Sequence, residues 1–122
     1  TKPWNMRGVE GVWRFLNRVW RMIVNVDAEE LTLVPEITGA QPASRAQLRL
    51  LHQTMRGVTQ DIEGMRFNTA ISKMMEYVNA LSREASRPRE IVEPFVLLLA
   101  PFAPHMAEEL WQTLGHKKTL AY

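Results

Sequence analysis

SRAQLRLLHQTMRGVTQDIEGMRFNTAISKMMEYVNAL, residues 44–81, decides the fold. Ser44 followed three residues later by Gln47 is the capping-box pattern that opens a helix. Behind it Leu48, Leu51, Met55, Val58 and Ile62 recur at alternating steps of three and four, one face of a 3.6-residue period. Gly64 ends that helix or weakens its end. A second period follows at once, through Phe67, Ala70, Ile71, Met74, Tyr77, Val78, Leu81 and Ala85. Two periodic segments joined by so short a connection are expected to be antiparallel neighbours.

The same period extends outward in both directions. Towards the start, Val9, Val12, Trp13, Leu16, Val19, Trp20, Ile23 and Val26 repeat at helical steps, and Asn5 is placed to cap them. Residues 27–43 lose the period and hold Pro35, Gly39 and Pro42, which predicts a loop with at most one short turn of helix. Towards the end, Pro88 suits the first turn of a fourth helix, from about Arg89 to Leu99. That helix is apolar on every side near its end and is expected to be central. Pro101 stops it. Pro104 opens a fifth helix with Met106, Ala107, Leu110, Trp111 and Leu114 inward, and Gly115 is a natural residue just past its end. The last seven residues show no period. No strand pattern and no internal repeat is visible. The expected architecture is all-α, a helical bundle of about five helices. The 122 residues suit a single domain spanning 1–122.

Composition removes several function classes. The chain has no cysteine, which excludes a disulfide scaffold, a thiolate zinc site and a thiol nucleophile and fits a reducing cytoplasm. The longest apolar run, FVLLLA at 95–100, is far shorter than the roughly 20 residues that span a bilayer. No signal-peptide pattern is present, and a start at Thr1 rather than Met suggests a piece of something longer. Net charge is only +2, but it is unevenly spread. Residues 1–26 carry five basic and one acidic residue, 27–44 carry four acidic and no basic ones, and 45–66 carry four basic and two acidic. The rest balances at six of each.

The basic residues form stripes. On a wheel of 3.6 residues per turn, Arg7, Arg14, Arg18 and Arg21 lie within about 60° of one another, opposite the apolar face as drawn above. On the next helix Arg45, Arg49, His52 and Arg56 fill a similar arc of about 60° bordering the apolar face. Guanidinium groups offer a planar fork of donors matched to phosphate oxygens, so two such stripes suit a nucleic-acid backbone. A solvated helix face carries the same residue types without any such role. His52 reads equally as a polar rim residue or an RNA contact.

No catalytic constellation is legible. His105, Glu108 and Glu109 stand at helical spacing, but the zinc-protease patterns need two histidines on one helix. His105 reads as a buried, hydrogen-bonded structural histidine, and Glu108 and Glu109 as acids favoured by the helix dipole. His116 lies in the irregular tail. There is no glycine-rich phosphate loop and no serine with a legible base partner. The seven methionines read as core filler. Trp13, Trp20 and Trp111 read as core, while Trp4 reads as a lid or as a group that docks on a neighbour.

Three blocks carry a family resemblance. GVEGVWRFLNRVWRMI at 8–23 resembles the helix that opens the anticodon-binding domain of bacterial-type leucyl-tRNA synthetases. LHQTMRGVTQDIEGMRFNTAISKMMEYVNAL at 51–81 resembles the next stretch, with RFNTAI at 66–71 its most distinctive part. LLLAPFAPHMAEELWQTLG at 97–115 resembles the closing part, which valyl and isoleucyl enzymes share in related form. The sequence departs from the family at WNM, residues 4–6, and carries no HIGH- or KMSKS-type motif, no editing domain and no C-terminal domain.

The resemblance implies a helical bundle excised from a class I enzyme that joins leucine to its tRNA. It implies ATP and magnesium for that parent, with no cofactor, metal or catalytic residue in this piece. It implies leucine tRNA and the parent's catalytic domain as partners, and no membrane. Such enzymes generally do not read anticodon bases, so the stripes Arg14, Arg18, Arg21 and Arg45, Arg49, His52, Arg56 are expected to hold the tRNA backbone. The contrasting expectation is a spacer bundle that packs on the catalytic domain, with Trp4 and the flanking apolar residues of the first helix exposed as a patch.

Overall fold

In the computed structural model, residues 6–39 and 41–116 are described. Trp4, Asn5 and residues 117–122 of the tail lie outside them. The elements in chain order are α1 (Met6–Ile23), β1 (Ile37–Thr38), α2 (Arg45–Glu63), α3 (Phe67–Ser82), β2 (Arg87–Pro88), α4 (Arg89–Leu99) and α5 (Pro104–Thr113). The all-α bundle expected from the periodicity is therefore present, with five helices.

Local signals set most of the helix ends. Ser44 caps α2 with both halves of the capping box formed: the Gln47 amide donates to the Ser44 hydroxyl at 3.1 Å, and the Ser44 amide donates to the Gln47 side chain at 2.9 Å. Gly64 ends α2, and Met65 makes the turn into α3 at φ 58°. Gly115 takes φ 99° just past α5, a conformation natural only to glycine. Pro94 sits inside α4. It withdraws a donor from the carbonyl of Glu90, an exposed residue.

The core is centred on α4, where Ile91, Val92, Phe95, Val96 and Leu99 are buried. It also draws Ala70, Met74, Tyr77, Val78 and Leu81 from α3, and Ala107, Leu110 and Leu114 from α5 and its end. Tyr77 packs on Phe95 with ring centres 5.3 Å apart, and its hydroxyl donates to the Ile91 carbonyl at 2.6 Å. Burial pushes the Tyr77 phenol above its ordinary range, so it stays a donor.

Several expectations need correction. The segment 27–43 is a loop as expected, with no helical turn among its described residues, but two short pairings stand where no strand was expected. Val24 bridges Leu33 in antiparallel fashion, and β1 pairs β2 in parallel, Ile37 with Arg87 and Thr38 with Pro88. Two-residue strands are too short to leave a period. Their role is to tie the loop to the start of α4, helped by the Arg87 amide donating to the Glu36 carbonyl at 2.7 Å. The third helix stops at Ser82, short of Ala85. His105 is exposed in the first turn of α5, not buried. His116 is not adrift in a tail: its ring stacks on Trp111 at 3.8 Å, and its Nε2 lies 3.0 Å from Glu93.

The largest correction concerns α1. Its buried face is Phe15, Val19, Met22 and Ile23, while Trp13 is 66% exposed, Val12 is exposed and Trp20 only half-buried. Apolar residues cover more than half of this helix's circumference, so periodicity alone does not choose the sector that meets α3. The true face is rotated towards the arginines. Arg18 lies only about 40° from Met22 on the wheel. The α1 stripe therefore flanks the buried face instead of opposing it.

One buried side chain joins the helix ends. Arg87, 8% exposed, donates from Nε to the Leu81 carbonyl at 2.8 Å, from Nη1 to Met22 at 2.8 Å and from Nη2 to Ser82 at 3.2 Å. These carbonyls belong to the last turns of α1 and α3, where regular helical donors run out, although Leu81 also accepts from the Glu84 amide at 3.0 Å. Arg87→Met should destabilise the fold by roughly 3 kcal/mol or more, since three charge-assisted bonds are lost together. Arg87→Lys should recover less than half of that, because an ammonium lacks the planar fork. Urea unfolding of the three proteins measures both.

Candidate nucleic-acid interface

The structure brings the α1 arginines against α3. Arg14, Arg18 and Arg21 are all exposed. Arg18 Nη1 donates to Asn79 Oδ1 on α3 at 2.9 Å, which fixes the direction of that guanidinium. Arg14 lies 3.9 Å from Glu10, one turn back on the same helix, a contact too exposed to add much stability.

Two clefts follow the α1–α3 seam. The first, of about 340 Å³, is lined by Arg14 and Arg18 over a floor of Phe15, Met75 and Val78. The second, of about 600 Å³, is lined by Arg18, Arg21, Arg83 and Arg87, with Asn79 and Ser82. Arg18 and Asn79 belong to both. No carboxylate lines either cleft.

The α2 stripe is a separate surface. Arg49, His52 and Arg56 share a shallow cleft of about 300 Å³ with Gln53, Gly57 and Gln60. Arg45 is exposed in the first turn of α2 and does not line it. Because α3 packs on both α1 and α2, it stands between the stripes. They do not merge into one cleft: the α1 clefts contain no α2 residue, and the α2 cleft contains no α1 residue.

A buried carboxylate holds α2 against α3. Asp61, 3% exposed, accepts from Lys73 Nζ at 2.6 Å and from Arg66 Nε at 3.2 Å. Lys73 reaches it by crossing α2 at Gly57, where a Cβ would stand 3.0 Å from the Lys73 Cδ. The Lys73 hydrogen bond is the main cause holding the Asp61 carboxyl below its ordinary value of 3.8, with burial opposing and Arg66 assisting.

Sequence reasoning missed Asn79, Arg83 and Arg87. Arg83, the cap just past α3, keeps helical backbone angles and follows Asn79 by four residues, so the two share a face. Their segment has balanced charge overall, which hid a local excess. Among the described residues no three His, Asp or Glu side chains converge as metal ligands, and no helix is long and apolar enough to cross a membrane.

Known proteins match this chain closely. A family described as the anticodon-binding domain of tRNA ligase matches residues 44–122. The chain belongs to this anticodon-binding domain family. Among its relatives, leucine–tRNA ligase 1 of Rhizobium johnstonii is 57% identical over 99% of the chain and 14% of its own length. The leucine–tRNA ligase of Rhodopirellula baltica is 53% identical over 99% of the chain and 13% of its own length. That of Salinispora arenicola is 50% identical over the whole chain and 12% of its own length. The chain thus spans about one-seventh or less of these curated relatives, and the part matched to the anticodon-binding domain family is about two-thirds of what they share with it.

The Asp61 cluster carries a sign that can be checked. A carboxyl held below its unfolded value adds stability that is complete above that value and is lost as pH falls through the folded one. Asp61→Asn should lower the melting temperature at pH 7 by several degrees. The gap to the unsubstituted protein should shrink as pH falls below about 4. Thermal melts across pH 2.5–7, an interval chosen around the carboxylate range, make the comparison.

Proposed function

We propose that this bundle is the tRNA-docking domain of a leucine–tRNA ligase. In this reading it positions leucine tRNA for ATP-dependent aminoacylation by the catalytic domain of the same parent chain, in the cytoplasm. The observation that carries the proposal is similarity along nearly the whole of this chain to one segment of leucine–tRNA ligases, together with exposed arginine on two separate helix faces.

Arg14, Arg18 and Arg21 on α1, and Arg45, Arg49, His52 and Arg56 on α2, contact phosphates and hold register. They are assigned backbone contact and not base reading, because no Tyr or Trp lines the clefts they form and the rings present are Phe15 and the single imidazole of His52. Phe15 forms the floor of the first cleft but is only 4% exposed, too buried to receive a base. ATP and magnesium serve the parent's catalytic domain, and no step of docking runs through them here.

A bundle acting only as a spacer has less behind it. Its expected apolar patch is represented on α1 by Val12 and Trp13. Among the residues whose exposure is described, the other exposed large apolar ones fall on different elements: Val26 and Leu31 in the loop, Met65 and Phe67 at the α2–α3 turn, Leu97 on α4. We assign Val12 and Trp13 to contact with the parent's catalytic domain, which is compatible with docking.

Arg18→Ala and Arg49→Ala in the full-length protein should each weaken binding of leucine tRNA and of a non-cognate tRNA to a similar degree. Each should also flatten the dependence of affinity on salt by about one unit of log–log slope. Unchanged affinity and slope in both variants would refute the assignment.

A further inference from the structure

The two clefts along the α1–α3 seam share Arg18 and Asn79, so they form one groove, with arginines on both banks in its second part. We propose that this groove is a two-sided phosphate track for the RNA backbone, and that Arg83, capping the end of α3, is the residue that completes it opposite Arg18 and Arg21. The inference rests on the docking function above and deepens it. It names a second bank and separates this groove from the one-helix stripe on α2.

Charge and partnering support it together. Arg21 and Arg83 have no carboxylate partner among the described residues, and no acid lines the groove around them. Basic residues in the last turn of a helix often serve only to offset its dipole. That need is already met here, because Arg87 bonds to the Met22, Leu81 and Ser82 carbonyls at the ends of both helices. Arg21 and Arg83 are therefore surplus to the helix ends and remain available to an anion. Arg87 also contributes positive charge to the wall of the cleft while its own fork is occupied.

Preorganisation and length point the same way. Arg18 is held in place by Asn79 at 2.9 Å, which lowers the side-chain entropy lost when a phosphate binds. From Arg14 to Arg21 the rise along α1 is about 10 Å, enough for more than one phosphate of a continuous strand. A small phosphate compound would use one end of such a groove and leave the other unmatched. The stripe on α2 has no facing bank: every residue lining its cleft comes from α2 itself.

The test uses the full-length protein carrying Arg83→Ala, Arg83→Lys or Arg49→Ala, titrated with leucine tRNA across a salt series. Circular dichroism and melting temperature serve as controls for folding. Arg83→Ala should weaken binding roughly tenfold at low salt and reduce the salt slope by about one, with melting unchanged. Arg83→Lys should restore most of the slope and part of the affinity, since charge returns without the fork. If Arg83→Ala matches the unsubstituted protein while Arg49→Ala binds more weakly, the second bank is wrong and the docking function stands. If neither variant differs, docking by these surfaces fails and the groove fails with it. A parallel titration with inorganic phosphate separates the two sources of phosphate. No saturable binding is expected, and saturable binding abolished by Arg83→Ala would reassign the groove to a small ligand and overturn the proposal.

Discussion

A single buried guanidinium fixes how the C-terminal ends of α1 and α3 meet. Arg87 is held by no carboxylate; its partners are the carbonyls of Met22, Leu81 and Ser82. A lone buried charge is costly, but these acceptors carry the concentrated negative ends of two helices. The side chain gains charge-assisted bonds, and both helices lose orphan acceptors. Its backbone meanwhile pairs with β1 and leads straight into α4. One residue thus ties α1, α3, the 27–43 loop and the central helix together. The α1–α3 seam, and every side chain that lines it, inherits its geometry from that contact.

The other side of α3 is set by different chemistry. There Asp61 of α2 receives Lys73 of α3 and Arg66 of the intervening turn. Truncating the carboxylate would leave two cations facing each other, whereas truncating one cation leaves Asp61 a second partner. The two faces of α3 are therefore held by opposite arrangements: a cation on carbonyls at one, an anion between cations at the other.

What could be read from the sequence follows from which signals are local. Ser44 with Gln47, Gly64, Pro88, Pro104 and Gly115 act within a few residues, and each marks the helix end expected of it. The face of α1 could not be read so, because apolar residues occupy most of its circumference and the choice between Trp13 and Phe15 depends on α3. The stripes were visible as periodic arginine, but their separation by α3 was not. Arg83 and Arg87 gave no periodic signal at all. Their significance arises only when α1 is laid beside them, sixty residues away in sequence.

The charge pattern gains meaning from this placement. The acids Asp27, Glu29 and Glu30 are exposed and follow α1 by a few residues, where the Val24–Leu33 bridge turns the chain back. An anionic strand following Arg14, Arg18 and Arg21 along the helix meets like charge beyond Arg21. The favourable direction of continuation is then across to Arg83, not onward past the end of α1. Net charge near neutrality is compatible with this, since a field that guides a polyanion depends on where cations and anions lie relative to one another. In the proposed docking the loop supplies the boundary, and the rotated face of α1 supplies the path.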